Sequence, residues 1–310
     1  MSAIKLRQRR STPASIMASK RLYKIDEVDP YQRSNPFIRS GYRGSMNLIA
    51  CLRSTFTFHN ETVNIWTHLI GFFFFVGLLI RDFLTIPTHL VSSVDLLVLT
   101  GMLLCYQACM ILSSLFHTFT CHSERVSRRC LSWDLAGITL ALLATYLSGI
   151  HYAFWCHESW RNFYFITVGG IFMIAAGMQL HPKFAVEEYA HIRIGLFTVW
   201  AIYGFVPTLH YIYLSGGFSN GLVSVMFPRI MIMYVICGVA FLFYITKLPE
   251  RFIPGLVDIV GHSHQWWHLL IFLALLFWHH TGVTFALFRL STGCETPPNE
   301  DELRQIALGF

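Results

Sequence analysis

Seven apolar segments dominate this chain, at approximately 65–86, 96–116, 131–154, 163–180, 194–214, 227–246 and 264–287. A helix needs roughly 20 apolar residues to cross the hydrocarbon core of a bilayer. Lipid offers backbone N–H and C=O groups no partner, so a spanning segment must satisfy them within its own helix. The expectation is an all-α protein, a seven-transmembrane-helix bundle. Hydrophobic residues at 54% and charged residues at 13% exclude an ordinary soluble domain, and no period of 20 to 50 residues points to a repeat array.

Residues 1–29 are polar and basic, without the apolar core of a signal peptide, so the first span is expected to direct insertion. Most of the 23 Lys and Arg fall on the side of the N-terminus, Arg39, Arg43 and Arg53 close to the first span among them. The positive-inside rule therefore predicts a cytosolic N-terminus and an exoplasmic C-terminus. The basic excess reads as a topology and lipid-anchoring signal, and no nucleic-acid partner is expected.

Three regions follow: a basic head over 1–58, a membrane domain over 59–290 and an exoplasmic or lumenal tail over 291–310. The head reads as flexible, then extended to about residue 44, punctuated by Pro30, Pro36, Gly41 and Gly44. Leu48, Cys51, Leu52, Thr55 and Phe56 recur at helical spacing, which predicts a short amphipathic helix along the inner interface. Asn60-Glu61-Thr62 has the glycosylation spacing but should stay bare in the cytosol. Most of the eight cysteines fall in helices or on the cytosolic side. Cys156 and Cys294 face the other compartment, where a disulfide between them is expected.

Ionisable groups at membrane depth are costly and call for partners. His264 and His268 are four apart, so both imidazoles stand on one helix face. Even-numbered helices end, and odd-numbered ones begin, at the same side, which places His117, Asp134, His264 and His268 at a common depth. Three imidazoles and a carboxylate suit Zn²⁺ better than Ca²⁺ or Mg²⁺. Ser113, one turn before His117, projects toward the same region and reads equally as a group that holds a water or an oxyanion or as one bonding back to its own helix, whereas Ser114 reads as bonding back. Glu61 and Asn64 read equally as support for the ligands or as a helix start. His151, His210, His279 and His280, toward the outer ends, read as unremarkable interfacial residues, and a second zinc site at Cys121, His122 and Cys130 is disfavoured. A zinc with an open position would activate water for hydrolysis of a lipid ester or amide, with Ser113 and Asp134 as catalytic groups; a closed shell would only pin three helices together.

The stretches ETVNIWTHLIG at 61–71, SSLFHTFTCHS at 113–123, DLAG at 134–137, VPTLH at 206–210, KLPERFIPG at 247–255 and SHQWWH at 263–268 resemble the progestin and adipoQ receptor family. That resemblance implies seven helices, a cytosolic N-terminus and a zinc ion near the cytosolic face on the residues matching His117, Asp134, His264 and His268. Ser113 matches the serine of the family's SxxxH pattern. A wider superfamily of membrane hydrolases, alkaline ceramidases included, carries the same constellation and implies a ceramide-like lipid substrate as the alternative. NPFIRSGYR at 35–43, YAFWC at 152–156 and FLFYITKLPER at 241–251 are similar to a Golgi-membrane member of the family. By resemblance, residues 1–60 would then bind a Raf-type kinase and damp the mitogen-activated kinase cascade.

Overall fold

The computed structural model describes residues 21–86, 91–181, 184 and 187–294. Its helices are α1 (Leu48–Ser54), α2 (Thr62–Thr85), α3 (Ser93–Phe119), α4 (Glu124–Ala153), α5 (Glu158–Leu180), α6 (Ala190–Tyr203), α7 (Phe205–Leu214), α8 (Gly221–Thr246) and α9 (Ser263–Thr292). Among the described residues there is no strand, only one isolated bridge between Tyr23 and Tyr42. Seven helices are long and apolar enough to cross a membrane, α6 and α7 together forming the fifth. The chain is an all-α integral membrane protein. Pro87 and His89 after the first span, Lys183, residues 1–20 and the tail from 295 lie outside the described residues.

Helix starts lie ahead of the apolar segments because polar residues open them. α3 begins with a capping box, the Ser92 hydroxyl accepting from the Asp95 N–H while the Asp95 carboxylate accepts from the Ser92 N–H. α4 begins at Glu124 and carries Arg125, Arg128 and Arg129 in its first turns, where hydropathy gives no signal. The expected continuous fifth helix is broken at Gly204, ahead of Pro207. Hydroxyls on the neighbouring helices attend to the break: Tyr146 donates to the Trp200 carbonyl and Tyr234 to that of Ala201 at 3.2 Å.

α9 packs against α2, α3, α4 and α8 and is the axis of the bundle. Close approach there depends on small residues. A Cβ on Gly137 of α4 would come within 2.9 Å of the Cys109 Cα on α3, and one on Gly71 of α2 would meet Met110 and Phe272 at 2.9 and 3.0 Å. At the far end, Cys156 and Cys294 form the expected disulfide, with Cα atoms 5.6 Å apart.

Two features mark the head. α1 buries Ala50, Cys51 and Ser54 and leaves Leu48, Ile49, Leu52 and Phe56 exposed, so its buried stripe is the small-residue one and its large apolar groups face outward. Residues 21–44 are not a loose extension. Two carboxylates in the α8–α9 connection fasten them: Asp258 accepts from the N–H groups of Arg39 and Ser40 at 3.1 and 2.7 Å, and Glu250 accepts from Asn35 at 2.9 Å and from the Ser263 N–H at 2.7 Å. Those hydrogen bonds hold Glu250 below the usual carboxylate range although burial opposes them. The strap thereby reaches the first residue of α9, next to His264.

Candidate metal centre

α2, α4 and α9 begin, and α3 ends, at one end of the bundle, which brings His117, His264 and His268 together. One nitrogen from each of the three lies within 4.8 Å of the others. The His264 Nε2 is 3.4 Å from that of His117 and 3.2 Å from that of His268. Two of the outer nitrogens are committed: His117 Nδ1–H donates to Glu61 Oε2 at 2.7 Å, and His268 Nδ1–H to the Asn64 carbonyl at 3.2 Å. In the neutral rings both Nε2 atoms therefore turn lone pairs toward the centre. Lone pairs facing one another repel unless a cation lies between them. Nitrogen ligands at about 2.0–2.1 Å in tetrahedral array stand roughly 3.3–3.4 Å apart, close to the two separations from His264, so the three histidines could hold a divalent cation such as zinc.

Asp134, on α4, is not in that group. Its carboxyl interacts with Ser113 and lies near His117, on the α3–α4 face that Gly137 brings close. Ser113 is itself buried. Ser114 differs from expectation: its hydroxyl donates across to the Ile65 carbonyl on α2 at 2.9 Å instead of back along α3.

Three supporting residues were not separable from background in the sequence. Glu61 holds His117 and in turn accepts from Asn64 at 2.7 Å. His68 stacks on His268 with ring centroids 3.9 Å apart and donates to its carbonyl at 3.3 Å. Arg43, buried in the strap, donates to the carbonyls of His117 and Thr118 at 2.5 and 3.0 Å and to Ser54 at 2.8 Å, closing the C-terminus of α3. The spacing of Glu61, Asn64 and His68, on one face of α2, was the available signal for two of them.

Histidines of the outer half are partnered too, contrary to their reading as plain interfacial residues. His279 donates to Asp82 at 2.7 Å and His151 to Asp95 at 3.1 Å, all four buried. His210 accepts from or donates to the Tyr164 hydroxyl at 2.9 Å. In the same half, α4, α7, α8 and α9 border a partly open apolar cavity of about 120 Å³ lined by residues including Leu142, Tyr146, Met226, Ile230 and Trp278.

The haemolysin-III-related family pattern matches residues 56–279. The chain is 39% identical over 284 residues to progestin and adipoQ receptor family member 3 of Mus musculus, and equally to that of Homo sapiens, covering 91% of each partner in the comparison. It is 31% identical over 290 residues to heptahelical transmembrane protein 1 of Arabidopsis thaliana, covering 90% of this chain and 85% of that one.

Proposed function

The chain belongs to the haemolysin-III-related family and, within it, to the progestin and adipoQ receptors; on that premise we propose that it is a zinc-containing seven-helix signalling regulator of the Golgi membrane that tethers a Raf-type kinase through its cytosolic head. The observation that carries the metal reading is the convergence of three imidazole nitrogens, with outer partners fixing the tautomers of His117 and His268. His117, His264 and His268 hold the ion, and Asp134 faces the remaining position. Bound there, Zn²⁺ supplies positive charge that polarises a carbonyl or acidifies a water. Glu61 and Asn64 keep the rings in register, and Arg43 anchors the helix end that carries His117.

The Cys156–Cys294 bond supports the orientation, because disulfides persist on the exoplasmic side and that pair lies at the opposite end from the histidines. The kinase and Golgi assignments rest on the resemblance of 35–43 and 241–251. In the fold those segments are the strap and the connection it is tied to, so the partner surface would be the outer face of that assembly together with residues 1–20.

Elemental analysis of the purified protein tests the metal: roughly one zinc per chain, lost in His264→Ala and His268→Ala. Zinc absent from the intact protein would remove the proposal. Capture of Raf kinase by the full chain, lost on deleting residues 1–60, tests the tether.

A second reading is favoured by one observation, that Asp134 stands apart from the three nitrogens beside Ser113. That arrangement leaves a position for a substrate, as in a zinc-dependent amidohydrolase of ceramide-like lipids. Ser113 would then donate to the developing oxyanion and Asp134 would take the proton. Along α9 the cavity lies about 15–25 Å beyond His268, at 1.5 Å per residue, a depth suited to an acyl chain. Fatty acid released from a short-chain ceramide, and abolished by Asp134→Ala with zinc retained, would establish it.

A further inference from the structure

Two cysteines that the metal centre does not use meet at the same end of the bundle. Cys51 lies on the buried face of α1 and Cys121 in the turn between α3 and α4, and their Sγ atoms are 3.7 Å apart. Both are buried. A disulfide needs about 2.05 Å, so less than 2 Å of closure separates contact from bond, and α1 is a seven-residue helix outside the spans that can supply it. We propose that Cys51 and Cys121 are a reversible redox modification site, closing to an intramolecular disulfide when this face of the protein meets a hydroperoxide.

The two cysteine pairs lie at opposite ends of the bundle. The outer pair is bonded, which puts the inner pair in the reducing compartment, where dithiols rest open and disulfides are transient. Chemistry assigns the roles. The hydrogen bond between the two sulfurs, with the nearby charge of Arg43, lowers the Cys121 thiol against the effect of burial, while Cys51 is raised. The Cys121 thiolate is thus the attacking group. It displaces hydroxide from the peroxide as the O–O bond breaks and becomes a sulfenic acid. Cys51 then gives up its proton and attacks that sulfur, the S–O bond breaks, and water leaves. In sum two thiols and one hydrogen peroxide give a disulfide and two waters, the thiols losing two electrons. A helix as short as α1, with Leu48, Ile49 and Leu52 exposed, opens locally at low cost and admits so small an oxidant.

Closure would tie α1 to the turn that follows His117. Arg43 already bridges the two, from Ser54 of α1 to the carbonyls of His117 and Thr118, so the cross-link reports to the helix end that carries the metal ligand.

Purified full-length protein in detergent, treated with hydrogen peroxide, alkylated and digested without reductant, tests the chemistry independently of orientation or zinc. The expected result is a linked peptide pair containing Cys51 and Cys121, parallel loss of alkylation at both, and full return after dithiothreitol, with Cys130 still alkylated. In Cys51→Ala the link vanishes and Cys121 accumulates as sulfenic acid. Persistent alkylation of both cysteines in the wild-type protein, or pairing of Cys121 with Cys130 or with a second chain, would overturn the proposal. The measurement on the wild-type protein stands even where a variant misfolds. Repeating it in intact cells with a membrane-impermeant alkylating reagent separates a failure of the cytosolic placement from a failure of the chemistry.

Discussion

Glu61 illustrates how a residue that touches no metal can decide whether a metal binds. Its carboxylate takes the Nδ1 proton of His117 and so presents Nε2 as a lone pair. Glu61→Ala should therefore weaken zinc binding about 10–100-fold, measured by competition with a chromophoric chelator, while leaving the helical circular dichroism unchanged. His59 is a different kind of polar residue. Its Nε2–H donates to the Ser54 carbonyl at 3.0 Å and its Nδ1 accepts from the Glu61 N–H at 3.1 Å, so the neutral ring is fully used. Burial first, then the charge of Arg43, brings it down to about 4 from 6.5. Above pH 6.5 both folded and unfolded chains hold it neutral and its contribution is complete. As pH falls from 6.5 toward 4 the unfolded chain takes up the proton first, so stability declines by at most about 1.4 kcal/mol per pH unit. A melting-temperature series from pH 7.5 to 4.5 should show this slope flattened in His59→Gln.

Among the helices, the α3–α4 contact brings Ser113 and His117 opposite Asp134. Gly137 permits that contact, and a side chain there meets the Cys109 backbone, which cannot swing aside as a flexible side chain would. Gly137→Ala should cost about 1–3 kcal/mol, read as a lower melting temperature in detergent, and Gly137→Val more. Both should weaken any coupling between Asp134 and the three histidines. The fifth span shows the converse, a helix whose apolar pattern runs on while its backbone stops. Pattern reports which residues meet lipid; it does not report that two tyrosines from neighbouring helices will take the Trp200 and Ala201 carbonyls ahead of Gly204.

For the molecule as a whole, one end carries the histidines, the strap and the open cysteine pair, and the other carries a disulfide and two buried histidine–aspartate pairs. A glycosylation acceptor introduced after residue 294 should gain glycan in cells, detected as an endoglycosidase-sensitive mass shift, while the natural acceptor at Asn60 should not. Asn60 has a second reason to stay bare: it is buried, its N–H donates to Gly41 at 2.9 Å, and its carbonyl accepts from His262 at 3.1 Å. Glycan at Asn60 would invert the proposed orientation.

The number of spans, their approximate depth and the common level of His117, Asp134, His264 and His268 were legible in the chain, because lipid rewards apolar length and taxes every buried charge regardless of what surrounds it. Cys156 and Cys294 were legible for the same kind of reason, as the two thiols left on one side. What the linear order could not convey is which nitrogen of each ring turns inward, that Asp134 stands off from the three histidines, that Asp258 and Glu250 strap the head over them, and that Cys51 meets Cys121. Those depend on hydrogen bonds and contacts between residues distant in sequence, such as Asn35 with Glu250 or Arg43 with His117, and pairing of that kind has no period for a pattern to carry.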